Sequence, residues 1–176
     1  MAMRGESAFD GGKLDIAASR GFAATAEVFW TEHVSTQLAA TFVNPEAILF
    51  PSAPPPADVD LNTLGIDAYS LSARWHVAVR ARWSAFAGGG AALVVLGNLE
   101  ERFADNIQMN FDSTTAFFGE AGVRLHVYPS VVLDAAIAYM PFEVEPSAVR
   151  NTTVVVLPTR LSLDPMTVSV GAAWHF

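Results

Sequence analysis

Read as a string of apolar and polar positions, the chain alternates with period two over most of its length. From Met166 onward, Met166, Val168, Val170, Ala172, Trp174 and Phe176 fall on one face and Thr167, Ser169, Gly171, Ala173 and His175 on the other. Strict alternation is the mark of a strand with one apolar face. The stretch follows the breaker pair Asp164-Pro165, and about 9–11 residues is what a tilted strand needs to cross the hydrocarbon core of a bilayer. A last strand with Trp and Phe on its apolar face suits a transmembrane barrel, where interfaces favour aromatics.

The same zigzag recurs upstream. Leu14, Ile16, Ala18, Phe22, Ala24, Ala26, Val28 and Trp30 keep one phase through Arg20-Gly21, which predicts a single long strand rather than a hairpin. Further strands are predicted around Val34–Phe42, Tyr69–His76, Val79–Val95 (through the glycine triplet), Thr115–Val127 and Val131–Met140. Short turns at 31–33, 77–78 and 128–130 alternate with long loops at 43–65, 97–113 and 141–163. In the first loop Ala47–Phe50 reads as a short helical or apolar tip, and in the last Val154–Leu157 reads as an extension of the flanking strands. Bacterial outer-membrane barrels show this asymmetry of short periplasmic turns and longer external loops, which places Phe176 on the periplasmic side.

That reading gives seven strands, whereas single-chain bacterial barrels have an even number and unpaired edges in lipid cost several kcal/mol per unmet group. An eighth strand is therefore expected ahead of Leu14. Residues 1–12, short and Gly-rich, are set aside as a disordered or remnant segment, and residues 13–176 as one barrel domain. The first residues also lack the apolar core of a signal peptide, so a signal for export is expected to be missing from this chain.

Composition narrows the classes. At 176 residues one domain is the default, and no apolar run reaches the 18 or so residues of a helical span. There is no cysteine, which removes disulfide and thiolate chemistry. A net charge of −8 argues against a nucleic-acid partner. Lys13 is the single lysine, and the polar faces carry Ser, Thr, Ala, Gly and Arg. A water-facing sheet would carry more Lys and Glu; a crowded barrel lumen accounts for the deficit.

Several stretches, in order, resemble the OmpW family of outer-membrane proteins from about residue 20 onward. These are Ala87-Gly88-Gly89-Gly90-Ala91-Ala92 after an aromatic, Arg-bearing strand, Gly119-Glu120-Ala121-Gly122 leading into a hairpin, and Leu163-Asp164-Pro165-Met166 before a final strand ending in Phe176. The last is the most specific. The resemblance implies an all-β, antiparallel up-and-down transmembrane β-barrel of the eight-stranded type. It also implies a narrow, largely apolar channel for small hydrophobic molecules, located in the bacterial outer membrane.

Strand parity puts Glu27, Arg74, Arg82, Glu120, Arg124 and Asp134 on the less apolar face, with His76 and His126. Inside an eight-stranded barrel, barely wide enough for side chains, such charges must pair. They are expected to form a salt-bridged plug or, in a sharper reading, a polar filter on a permeation path. Phe29, Phe86, Phe118 and Met140 share that face and are candidates for lumen packing or for a hydrophobic ligand pocket. Trp30, Tyr69, Trp75, Trp83, Tyr139 and Trp174 lie near strand ends on the apolar face, as in a membrane-interface girdle. Phe176 is the terminal strand signal, read by the barrel-assembly machinery. The histidines at 33, 76, 126 and 175 have no metal-ligand spacing, no nucleophile elbow appears, and the glycine triplet lacks the Lys-Ser/Thr of a phosphate loop. No cofactor, metal or catalytic role is expected. The acidic loop residues Asp58, Asp60, Glu100, Glu101 and Asp105 are solvated charge, or hold cations that bridge lipopolysaccharide.

The function that follows is a passive channel or binding site for small hydrophobic molecules, seated in the lipid bilayer beside lipopolysaccharide. The alternatives are a structural or adhesion-type barrel with a plugged lumen, a soluble lipocalin-like lipid carrier with its apolar face turned inward, and a lipid-modifying enzyme, which parity alone does not equip.

Overall fold

A computed structural model describes the backbone of residues 2–9, 12–51, 59–80, 82–97, 99–100, 107–150, 153–156 and 161–174, and the side chains of 19–46, 64–78, 82–97, 111–145 and 162–174. Eight strands build the barrel wall: β1 (Ala2–Phe9), β2 (Gly12–Phe29), β3 (Val34–Val43), β4 (Ile66–Arg80), β5 (Trp83–Leu96), β6 (Thr114–Tyr128), β7 (Val131–Tyr139) and β8 (Met166–Trp174). Each pairs antiparallel with its neighbour in sequence, and β1 pairs with both β2 and β8. The order β1-β8-β7-β6-β5-β4-β3-β2 thus returns to its start, an up-and-down arrangement of the eight-stranded type.

The eighth strand is the segment that composition set aside. Within residues 1–12, Ala2–Phe9 lie in the sheet, paired with Gly12–Arg20. Phe9 pairs with Gly12 across Asp10-Gly11, and Asp-Gly between two runs is a strong hairpin signal. β1 reaches only part of the wall. Its Ala2–Arg4 pair with Met166–Val168, while Gly21–Phe29 of β2 pair with β3 alone and Ser169–Trp174 of β8 with β7 alone, among the described residues.

β2 is one strand through Arg20-Gly21, and β5 runs through Gly88-Gly89-Gly90, both as the periodicity requires. The turn expected at 77–78 lies later. β4 continues to Arg80, with Ala78 opposite Ser84 and Arg80 opposite Trp83. Within the long loops the described residues form further strands. Glu46–Pro51 and Val59–Thr63 form a hairpin where a helical tip at Ala47–Phe50 was one expectation. Leu99–Glu100, Ile107–Phe111, Pro146–Arg150 and Thr153–Val156 make a four-stranded sheet, and Phe142–Val144 pairs with Leu161–Leu163. The ladders above the wall are interrupted at Asn44-Pro45, Leu64-Gly65, Gly97, Asp112-Ser113, Met140-Pro141 and Asp164-Pro165. Prolines there cannot donate to a ladder.

The outer face is apolar and the inner face carries the charge. Val170 (79 % exposed), Phe117 (75 %), Trp30 and Phe22 point outward, whereas Arg74 and Arg124 are buried at 6 % and 5 %. This is the inverse of a water-soluble barrel, and it removes the lipocalin-like reading, which needs the valines and tryptophans inside.

Candidate functional site in the barrel lumen

The inward residues form two layers. At the loop end, Val43, Leu64, Ile66, Ala68, Ala92, Val94, Leu96, Ala116, Phe142, Val144 and Leu163 are buried together, with Phe111, Phe118 and Met140 packed against them. Phe142, Val144 and Leu163 belong to the short antiparallel pair Phe142–Val144/Leu161–Leu163 beyond β7, so the segment that leaves the wall tucks its apolar side back into the mouth.

The second layer, toward the turn end, is charged. Arg74 meets Glu120 through two parallel bonds, Nε to Oε1 at 2.8 Å and Nη2 to Oε2 at 2.5 Å. Arg124 meets Asp134 in the same way, both at 2.7 Å. Paired bonds of this kind suit the planar guanidinium fork and fix both partners. Glu27 joins the two pairs. Its Oε2 accepts from Arg124 Nη2 at 2.5 Å, and its Oε1 lies 3.8 Å from Arg74 Nη1. The buried Ser35 hydroxyl donates to Glu27 Oε1 at 2.6 Å and stands 2.8 Å from His76 Nε2. A serine hydroxyl has one proton, and here it goes to the carboxylate, so the serine oxygen must accept from His76 Nε2–H. His76 Nε2 also lies 3.2 Å from Glu27 Oε1.

Register explains how partners two strands apart meet. Ser35, Arg74, Gly88 and Glu120 lie opposite one another across β3, β4, β5 and β6. Arg74 must therefore pass over β5 to reach Glu120. A Cβ at Gly88 would run into the Ala73 carbonyl oxygen and the Arg74 side chain, so only glycine leaves that path open. Gly122 does the same for the Phe86 ring, which a Cβ there would strike. Phe86 in turn lies under the Arg74 guanidinium at 4.4 Å from ring centroid to Cζ, and Phe29 faces Arg124 at 5.4 Å. His76 packs between the two rings, 5.0 Å from Phe29 and 5.6 Å from Phe86.

An antiparallel barrel with an apolar exterior, a charged interior and strand-built extensions at one end is the observation that the comparisons complete. The family model described as "OmpW family" matches residues 2–176. The chain belongs to the OmpW family. In structure it is similar to the outer membrane protein OprG from Pseudomonas aeruginosa, with a TM-score of 0.75 at 14 % identity over 99 % of this chain and 95 % of that one. It is also similar to the outer membrane protein AlkL in lipid bilayers, with a TM-score of 0.63 at 13 % identity over 99 % and 90 %. Among curated protein sequences none matches. An OmpW-family barrel of this kind is an outer-membrane protein that sits in the lipid bilayer.

Within this OmpW-family barrel, five of the six charges that parity put on the inner face come together: Glu27, Arg74, Glu120, Arg124 and Asp134. Arg82 does not. It is exposed in the turn after β4, because that strand runs on past 77–78, and its carbonyl accepts from the His126 N–H at 2.9 Å. The four proposed lumen apolars do not form one lining. Phe29 and Phe86 belong to the charged layer, and Phe118 and Met140 to the apolar one. Trp30, Trp75, Trp83 and Trp174 lie on the outer face toward the turn end, and Tyr69 and Tyr139 on the outer face toward the loop end. Two of these have specific bonds: Trp30 Nε1 to Thr36 Oγ1 at 2.8 Å, and Tyr139 O–H to Asp164 Oδ1 at 3.1 Å. Phe176, and the side chains of Asp58, Asp60, Glu100, Glu101 and Asp105, lie outside the described residues.

Sequence reasoning passed over Ser35, Gly88, Gly122, Phe142, Val144 and Leu163. Parity placed Ser35 on the polar face, but only the register of β3 against β4 sets it between Glu27 and His76. Serine, histidine and glutamate in contact also invite a nucleophile reading. The geometry opposes it, since Ser35 is fully buried and its proton is committed to Glu27 rather than to the histidine.

Proposed function

We propose that this OmpW-family barrel takes up small hydrophobic molecules at its loop end and conducts or holds them there, while the charged layer closes the axial route to water and ions. The turn end then faces the periplasm, the six outer aromatics sit at the two membrane interfaces, and the barrel has no catalytic role. Its partners in this reading are the bilayer, lipopolysaccharide around the loops, and the assembly machinery that reads the last strand. The observation that carries the reading is the division of the lumen. An apolar layer offers contact to a hydrocarbon and little to a hydrated solute, and the layer below it is held by two doubly bonded guanidinium–carboxylate pairs joined through Glu27.

The test is a pair of measurements on barrel reconstituted in liposomes and planar bilayers. The expected result is entry of a hydrophobic fluorescent probe above the rate for liposomes carrying a control barrel, with ion conductance near baseline. Equal probe entry in the two samples would reduce the molecule to the structural barrel with a plugged lumen.

A further inference from the structure

The charged layer does not balance. Among the described residues it holds the carboxylates of Glu27, Glu120 and Asp134 against the guanidiniums of Arg74 and Arg124, so one negative charge has no permanent counterpart. The side chains that meet there come from six strands. β2 supplies Glu27 and Phe29, β3 Ser35, β4 Arg74 and His76, β5 Phe86, β6 Glu120 and Arg124, and β7 Asp134. β8 places Gly171 opposite Asp134, and β1 meets β8 only at Met166–Val168. An unmatched charge beside side chains as buried as Arg74 and Glu120, each 6 % exposed, is costly.

The group placed to cancel that charge is His76. Its Nε2 lies 3.2 Å from Glu27 Oε1 and 2.8 Å from the Ser35 hydroxyl, which gives its own proton to Glu27. Nε2 therefore already carries a hydrogen, and a second proton has to enter at Nδ1. Its arrival breaks none of these bonds. Nε2–H goes on facing Ser35 and Glu27, and only the charge of the ring changes. The Phe29 and Phe86 rings, with centroids 5.0 and 5.6 Å away, are within the reach at which an aromatic face attracts a cation. Ala78, the next inward residue of β4, is exposed, so the imidazole stands one step from the open turn end.

We propose that His76 is a proton-binding site that completes the charged layer. With the proton bound the layer is neutral, and it bars cations and anions alike. Without it the layer carries one net negative charge, and small cations enter it from the turn end. The residual ion conductance of the barrel is then set by the pH at that end, low in acid and cation-selective in alkali. The inference rests on the reading of the charged layer as the axial barrier, and names the proton as what regulates it.

The chain has histidines at 33, 76, 126 and 175. His33 reaches the His76 carbonyl through Nδ1 at 3.2 Å and lies beside Glu32, so its own titration has to be removed. In a His33→Gln/His126→Gln/His175→Gln barrel refolded in micelles with isotope-labelled histidine, the nitrogen resonances report His76 alone. Nε2 should stay protonated throughout, and Nδ1 should gain a proton as pH falls from about 9 to about 4, a range that brackets the ordinary histidine transition. An Nδ1 that stays unprotonated across that range overturns the proton site. Glu120→Gln in the same background removes one carboxylate and should weaken proton binding about tenfold or more. Binding that this change leaves as it was also overturns the proposal, because the charge deficit is then not what draws the proton. In planar bilayers the parent barrel should pass several-fold more current at about pH 8 than at about pH 5, with K⁺ preferred over Cl⁻ only at the higher value. His76→Gln should show the alkaline behaviour at both. Titration of Nδ1 with current indifferent to pH leaves the proton site standing and takes the layer out of the ion path, which is the failure of the barrier reading.

Discussion

The two layers of the lumen are packed by opposite physics. At the turn end a few polar atoms meet at fixed distances and angles. Glu27 alone accepts from Ser35 and Arg124 and stands beside Arg74 and His76, so loss of one member leaves buried charge behind. At the loop end the same job is done by about a dozen apolar side chains, with no single contact in charge. Directional closure is all-or-none; dispersive closure yields and re-forms at low cost. On the proposed function, the difference puts the permanent barrier at the charged end and the yielding contacts at the apolar end.

The largest effect should come from removing the hub. Glu27→Leu leaves Arg124 with only Asp134 and strips His76 and Ser35 of their shared acceptor. A loss of about 3–5 kcal/mol is expected from breaking a buried network, read by reversible urea unfolding of the refolded barrel in lipid. The comparison sharpens if both halves of one pair go together. Arg74→Met with Glu120→Leu should cost much less than Arg74→Met alone, because no orphaned carboxylate is left behind at Glu120. Equal losses for the single and double variants would show that the layer is not closed by charge pairing.

Truncation at the other end should cost less and do something different. Leu163→Ala is expected to lose about 2–4 kcal/mol, the range for a buried leucine. Because Leu163 is packed in the apolar layer, the variant should also admit the hydrophobic probe faster than the parent, whereas Glu27→Leu should change ion conductance before it changes probe entry. Identical transport phenotypes for the two variants would erase the distinction between the ends.

The strands and their faces were legible because period two is a one-dimensional signal. Tyr69 and Trp75 on one side and Arg74 and His76 on the other could be sorted without knowing any neighbour. The family was legible in the glycine-rich run and the Asp164-Pro165 strand start. What remained hidden depends on register, which no single strand contains. Parity sent Arg82 inward, but two extra residues in β4 carry it into the turn. The first strand was missed because residues 1–12, with Gly5, Gly11 and Gly12, looked like linker, although Asp10-Gly11 was a hairpin signal in plain view. Loop strands such as Phe142–Val144 are too short to show periodicity at all.

Gly88 is where legibility and mechanism meet, since the triplet was noticed as a pattern and turns out to be a passage. Gly88→Val should put branched carbon against the Ala73 carbonyl and the Arg74 stem, with an overpacking cost of about 1–3 kcal/mol. The same substitution at Gly119, where an added Cβ meets nothing within 4 Å, should be nearly silent. If both positions respond alike, the glycines serve backbone geometry rather than the Arg74–Glu120 crossing.

The smallest effect tests whether the outer aromatics act by position or by bond. Trp30 is 68 % exposed on the outer face, yet its Nε1–H donates to Thr36 Oγ1 at 2.8 Å. Trp30→Phe keeps an aromatic ring at the turn end and removes the donor, which should cost about 0.5–1.5 kcal/mol, the net worth of one hydrogen bond. Thr36→Val removes the acceptor from the other side, and the two losses should not add, because they delete the same bond. Additive losses would assign the stabilisation to each side chain's own seat in the lipid interface. Unlike Leu163→Ala and Glu27→Leu, neither variant touches the lumen, so both should leave probe entry and conductance at parental values; a change in either would mean that the outer wall and the inner layers are mechanically coupled through β2 and β3.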